Sequence, residues 1–196
     1  MNKQSKVSGV ILAGGLARRM NKQDKGLVYF KNKAMITYAL QAITPVVDEL
    51  FINANRNIEQ YQQFNYPVIN DGRSDFAGPL AGVFAALNVC ENDVLLVIPC
   101  DSPFMTADGL QALLAERERC QADIAVAFDG ERIHPVFMAI KRSLKESLKN
   151  YLAQGERKID RWFEQHNWVK VNFSANPEFF SNINTLEQLT ELATKE

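Results

Sequence analysis

Cysteine is scarce in this chain. Cys90, Cys100 and Cys120 are the only three in 196 residues and never form a C-x-x-C pair, which excludes a zinc ribbon and a disulfide scaffold. Three scattered thiols fit a reduced, cytosolic protein. An excess of one charge sign is missing as well. The formal net charge of −1 provides no bulk field for a nucleic acid duplex or an anionic membrane, so any phosphate recognition must come from a local cluster. No stretch approaches the roughly 20 apolar residues of a membrane span. Residues 1–8 are polar and lack the apolar run of about 7–15 residues that a signal peptide carries. The expected setting is the cytoplasm, with neither nucleic acid nor membrane as partner. Internal repeats, low-complexity tracts and linkers are also lacking, so one domain over residues 1–196 is expected.

What is present is an ordinary globular balance, 46% hydrophobic and 23% charged, enough to build a full core without staples. Short apolar runs alternate with segments of helical period, which predicts a three-layer, mostly parallel, Rossmann-like α/β sheet with helices on both faces. Strands are expected over residues 9–13, 49–53, 66–69, 94–98, 123–128, 135–140 and 168–173. The run 94–98 is apolar at every position and should lie mid-sheet, buried on both sides. Helices are expected over 35–43, 78–87, from 106 onward, over 143–152 and 158–165, and after Thr185, where Thr185-x-x-Gln188 matches a capping box.

Three places carry chemistry. The first strand breaks into Gly14-Gly15, followed by Arg18, Arg19 and Lys25. Glycine lets backbone N–H groups converge into a nest for phosphate oxygens, and the cations could screen a triphosphate and a leaving pyrophosphate. The spacing is neither a Walker loop nor G-x-G-x-x-G, and a strand-to-helix turn with solvated charges is the alternative. Asp101 stands just beyond the central strand, where open α/β sheets place ligands. It can hold a hard cation such as Mg²⁺, or simply open a turn with Ser102-Pro103. Asn53 and Asp71 end two further strands and reach the same edge, although Asn70-Asp71-Gly72 also reads as a turn. Gly78 and Gly82 lie four apart on a small-residue helix suited to close packing near a ligand.

Taken together, Leu12-Ala13-Gly14-Gly15, Arg19-Met20 and Asp24-Lys25 resemble the signature L-A-G-G-x-x-x-R-M-G-x-x-D-K of nucleotidyltransferases, in the branch of the molybdenum cofactor guanylyltransferases. Later blocks match in order: Asn53-Ala54-Asn55-Arg56, Asp71 with Gly78-Pro79-Leu80-Ala81-Gly82, Pro99-Cys100-Asp101-Ser102-Pro103, His134-Pro135 and Asn182-Ile183-Asn184-Thr185. The resemblance covers the whole chain. One departure is Asn21, where the pattern has glycine; asparagine tolerates positive φ next best.

The resemblance implies a nucleotidyltransferase fold and transfer of GMP from GTP to the terminal phosphate of molybdenum cofactor, with Mg²⁺ as cofactor. It implies a GTP site at Leu12, Ala13, Gly14, Gly15, Lys25, Asn53, Asp71, Gly78 and Asp101. Arg19, Lys25 and Asp101 would be catalytic, Asp101 the metal ligand, and Asn182 with Asn184 the acceptor site. A carboxylate at position 71 could accept both guanine N1–H and N2–H₂, a pair that adenine does not offer. Arg132, His134 and Arg157-Lys158 are further candidates for an anionic pterin phosphate, against plain structural roles. Cofactor-biosynthesis proteins and molybdoenzyme chaperones are implied partners, and a monomer is expected. The rivals are a CTP- or UTP-dependent sugar-phosphate or alditol-phosphate relative, a molybdopterin cytidylyltransferase or an adenylyl-type relative, and a non-catalytic GTP or cofactor binder.

Overall fold

A computed structural model describes residues 6–13, 24–72 and 78–182. Its strands are β1 (Val7–Leu12), β2 (Tyr29–Phe30), β3 (Lys33–Ala34), β4 (Glu49–Asn53), β5 (Val68–Ile69), β6 (Val94–Pro99), β7 (Ile124–Phe128), β8 (Ile133–Lys141) and β9 (Trp168–Asn172). Its α-helices are α1 (Met35–Ile43), α2 (Ile58–Gln62), α3 (Pro79–Val89), α4 (Ala107–Arg119), α5 (Lys145–Ala153) and α6 (Ile159–Phe163). Among the described residues, seven strands form one sheet in the order β5-β4-β1-β6-β8-β7-β9. Only β8 runs against the others, pairing antiparallel with β6 and β7.

The alternation of side chains along each strand divides the core in two. Ile11, Ile52, Leu96 and Ile98 face Ile36 and Ile43 of α1 and Leu110 and Leu113 of α4. Val10, Leu95 and Val97 face Leu80 and Val83 of α3, Leu148 and Leu152 of α5, and Trp162 and Phe163 of α6. All six residues of β6 are buried. An edge position would expose apolar side chains worth about 1.5–3 kcal/mol each on burial, so this strand is held in the middle. The predicted three-layer, mostly parallel sheet is the one observed.

The connections set where a ligand can bind. From β1 the chain crosses one face through α1 to β4 and β5, then returns over the other face through α3 to β6, on the far side of β1. A crevice therefore opens at the carboxyl ends of β1 and β6, the point where the strand order reverses.

Boundaries shift where short-range signals are weak. The strand expected over 66–69 keeps only Val68–Ile69, because Pro67 has no N–H to give a ladder. The helix expected over 143–152 starts as a 3₁₀ turn, Arg142–Leu144, and becomes α-helical at Lys145. The helix expected over 158–165 shortens to Ile159–Phe163. The hairpin β2–β3 was not expected; its turn residues Lys31 and Asn32 both have positive φ, as a type I′ turn demands, but Lys-Asn is a poor signal for one. The helix expected after Thr185 lies outside the described residues.

The antiparallel partner expected over 135–140 extends to Ile133–Lys141 and is interrupted. Val126 pairs with Met138 while Ala127 pairs with His134, so Pro135, Val136 and Phe137 have no partner on β7. Such a bulge accommodates a proline inside a strand. At the hairpin corner, Asp129 Oδ1 accepts from the N–H groups of Glu131 and Arg132, each at 2.8 Å, and Oδ2 lies 2.6 Å from His134 Nε2. These contacts, the Arg132 N–H first, hold the Asp129 carboxyl well below the usual carboxylate range. Its ionised form therefore adds stability above the unfolded-state value near 3.9, which is lost as pH falls through and below it. Asp129→Asn is expected to melt below the wild type at pH 7, with the gap closing below about pH 5. A gap of constant size between pH 7 and 3 contradicts this account.

Candidate active site at the carboxyl edge of the sheet

Four parallel strands end side by side. Leu12 lies opposite Asn53 on one flank and Pro99 on the other, and Asn53 lies opposite Ile69. The backbone stays tied beyond the strands: Ala13 N donates to Asn53 O at 2.8 Å and Cys100 N to Leu12 O at 3.2 Å. The chain segments leaving β1 and β6 are thus held together at the crevice.

Across this crevice Lys25 Nζ donates to Asp101 Oδ2 at 2.8 Å. The side chains are 26% and 13% exposed, so water screens the pair less than it would on an open surface. The root of Lys25 is fixed from below. Asp24, buried, accepts from the Tyr61 hydroxyl at 2.5 Å and from Asn57 Nδ2 at 3.4 Å. Burial pushes the Asp24 carboxyl up, and the bonds from Tyr61 and Asn57 oppose that rise. Burial likewise drives the Tyr61 phenol far above its usual range, so it serves as a neutral donor.

Asn53 is buried and donates from Nδ2 to Ile69 O at 3.3 Å. Its Oδ1 rests against α3 at Gly82, where an added Cβ would sit 2.3 Å from that oxygen and 2.9 Å from Leu12 Cδ2. Gly82 thus has the close approach expected of it. Gly78 does not: among the described residues nothing lies within 4 Å of a Cβ added there, and it is needed at the start of α3 for its φ of +73°. Asp71 stands at the same edge beyond β5. It accepts from Asn55 Nδ2 at 2.8 Å, and its N–H donates to Asn55 Oδ1 at 3.1 Å. Strands β5 and β6, which precede Asp71 and Asp101, are three ladder steps apart, about 14 Å at the usual spacing.

At the other flank, Ser102 Oγ, buried, donates to Asn182 Oδ1, which brings the chain's last described residue beside Asp101. Asn182 lines a cavity of about 470 Å³ with His134, Arg132 and Phe180. The His134 ring stacks on Phe180 with centroids 3.9 Å apart and planes at 9°. A larger cavity of about 670 Å³ shares Arg132, Ile133 and Pro135 and adds Arg157, Lys158 and Lys170.

No group of three or more His, Cys, Asp or Glu side chains converges among the described residues. A divalent ion at Asp101 would therefore take most of its ligands from phosphates and water, the habit of Mg²⁺ rather than of zinc. A single strand-tip carboxylate bordered by a cation fits that use. No helix of the described residues is long and apolar enough to cross a membrane.

The sequence matches the MobA-like NTP transferase domain over residues 9–171. The molybdenum cofactor guanylyltransferase of Shewanella sp. strain W3-18-1 is 47% identical over 191 residues, 97% of each chain. That of Shewanella piezotolerans is 46% identical over 187 residues, 95% of this chain and 92% of the relative. The chain belongs to this family.

Solved structures agree. Molybdopterin-guanine dinucleotide biosynthesis protein A from Archaeoglobus fulgidus superposes with a TM-score of 0.77 at 25% identity, covering 94% of this chain and 95% of its own. At 12% identity, the 4-diphosphocytidyl-2C-methyl-D-erythritol synthase of Anaerococcus prevotii shares the fold alone, with a TM-score of 0.76. This MobA-like chain is thus a nucleotidyltransferase of the guanylyltransferase family.

In this transferase the crevice gathers Leu12, Ala13, Lys25, Asn53 and Asp101, with Asp71 and Gly78 on one flank and Asn182 on the other. Gly14, Gly15, Arg19 and Asn184 lie outside the described residues. Sequence reasoning did not single out Asn55, which bonds Asp71, Ser102, which bonds Asn182, or Tyr61, which bonds Asp24 beside Lys25. Tyr61 carries no motif and lies outside every element expected from the sequence. Asn55 and Ser102 stand inside quoted blocks, so position within a block was the available signal.

Gly82→Ala is expected to cost about 1–3 kcal/mol by overpacking against Asn53 and Leu12. Urea unfolding tests this; a variant as stable as the wild type leaves the close approach without consequence.

Proposed function

We propose that this protein transfers GMP from GTP to the terminal phosphate of molybdenum cofactor, releasing pyrophosphate and forming the guanine dinucleotide. The observation that carries the reading is the meeting of Lys25 and Asp101 at the crevice, in a chain 47% identical over nearly its whole length to a molybdenum cofactor guanylyltransferase. One fixed cation and one fixed anion, at the carboxyl end of a parallel sheet, suit a metal–triphosphate complex.

Each residue has a distinct task. Asp101 would hold Mg²⁺, which would supply charge neutralisation to the phosphates. Lys25 moves from Asp101 to a phosphate oxygen and offsets charge growing on the departing pyrophosphate. Gly14, Gly15 and Arg19 add backbone and side-chain donors to the phosphates, while Leu12 and Ala13 bring the chain to them. Asp71 accepts guanine N1–H and N2–H₂, with Asn55 orienting its carboxylate. Asn53 and Gly78 shape the nucleoside side of the pocket. Asn182 and Asn184 bind the acceptor, with the adjoining basic cavity of Arg132, Arg157, Lys158 and Lys170 open to its anionic groups.

An acceptor phosphate oxygen attacks the α-phosphorus in line. The new O–P bond forms as the bond to the β-phosphate bridging oxygen breaks, and pyrophosphate leaves with that electron pair. A phosphate monoester is already anionic near neutral pH, so no strong general base is needed. Positioning and electrostatics then supply the rate. The larger cavity's mixture of four cations with Glu131, Asp160 and Glu164 suits a polar, partly anionic pterin better than a bare phosphate.

Asp101→Ala and Lys25→Ala are each expected to lose about 100-fold or more in GMP transfer while remaining folded. The check is GMP incorporation by purified protein given molybdenum cofactor, Mg²⁺ and each nucleoside triphosphate in turn. Wild-type turnover by Asp101→Ala, or protection by CTP and not by GTP, defeats the reading.

A further inference from the structure

The buried Asp24–Tyr61 pair has a cost that packing alone does not explain. Tyr61 is fully buried and Asp24 is 6% exposed, and a desolvated carboxylate is unfavourable unless its oxygens are occupied. A phenylalanine and an apolar residue would fill the same space without that cost. The pair instead grips the chain on both sides of Lys25. Before it, Asp24 takes the Tyr61 hydroxyl at 2.5 Å. After it, Gly26 lies so close that an added Cβ would be 2.6 Å from the same hydroxyl and 3.2 Å from the ring. Between them, the 3₁₀ turn Lys25–Leu27 closes through Leu27 N to Asp24 O at 3.0 Å. Asn57, at the head of α2 with φ of +51°, adds a second, longer bond to Asp24.

We infer that Tyr61 is a positioning residue for the nucleotidyl-transfer reaction: through Asp24 and Gly26 it sets the backbone of Lys25, so that the ammonium is delivered to the triphosphate and not to solvent. A lysine stem has four carbons and is rich in rotamers, so an unfixed root spreads Nζ over a wide arc. Fixing residues 24 and 26 leaves only the stem to order when the nucleotide arrives. This inference rests on the reading of Lys25 as a triphosphate-binding group.

A double-mutant cycle tests it, with Tyr61→Phe and Lys25→Met alone and combined. The readouts are GTP affinity in Mg²⁺ by calorimetry and single-turnover GMP transfer with excess enzyme. With Lys25 present, Tyr61→Phe is expected to weaken GTP binding and slow transfer by about five- to tenfold, and in the Lys25→Met background by less than about twofold, coupling of this size being usual for side chains in one network. Gly26→Ala, which must push the Tyr61 hydroxyl aside, should show the same dependence on Lys25 and covers the case in which Tyr61→Phe folds poorly. Equal factors in both backgrounds for both variants mean that Tyr61 only supports the fold, and the inference fails. Wild-type GTP affinity and transfer rate in Lys25→Met alone would instead refute the role of Lys25, a separate outcome from the first.

Discussion

An ion pair between residues 76 positions apart lies at the centre of the proposed site. Lys25 follows the first strand and Asp101 follows the central one, and nothing local brings them together. They meet because β1 and β6 are adjacent and parallel, leaving their carboxyl ends on one edge. Two opposite charges at 2.8 Å satisfy each other at this edge. A triphosphate with its metal ion offers each of them a stronger partner. In the proposed reaction the fold would poise the site and the substrate would complete it.

The rest of the architecture reads as support for that edge. Two half-cores, one with α1 and α4 and the other with α3, α5 and α6, clamp the sheet so that neither strand can slip. A one-residue slip in a parallel pair would turn every core side chain to the wrong face, and it would move Asp101 relative to Ala13 by about 3.3 Å. Gly82 lets α3 come close enough to seat Asn53, and Asn55 locks Asp71 in a reciprocal pair of bonds. On the opposite flank the bulge at Pro135–Phe137 turns His134 onto Phe180, walling the cavity that Asn182 borders.

Much of this was legible in the residues. The apolar run 94–98 announced a central strand, the stretches 35–43 and 49–53 matched their elements to the residue, and Asp101 stood out as a carboxylate beyond a buried strand. Other features resisted because their causes are not local. Tyr61 reads as core until Asp24 is seen against it. Asn53 reads as an exposed strand tip, yet Gly82 and Ile69 take both ends of its amide. The β2–β3 turn places a lysine at positive φ, a conformation its side chain does not advertise. Gly78 and Gly82 look alike in sequence but serve different needs, one a backbone angle and the other an absence of volume.

The central claim is that Asp101 would hold a divalent ion for the triphosphate while Lys25 would turn to a phosphate. The direct measurement is a crystal structure with Mn²⁺ and a GTP analogue that cannot be cleaved at the α-phosphate, read by the anomalous signal of manganese. The account predicts an anomalous peak within about 2.0–2.6 Å of an Asp101 carboxylate oxygen, with Nζ of Lys25 bonded to a phosphate oxygen. A metal bound away from Asp101, or a Lys25–Asp101 pair still closed beside bound nucleotide, contradicts it.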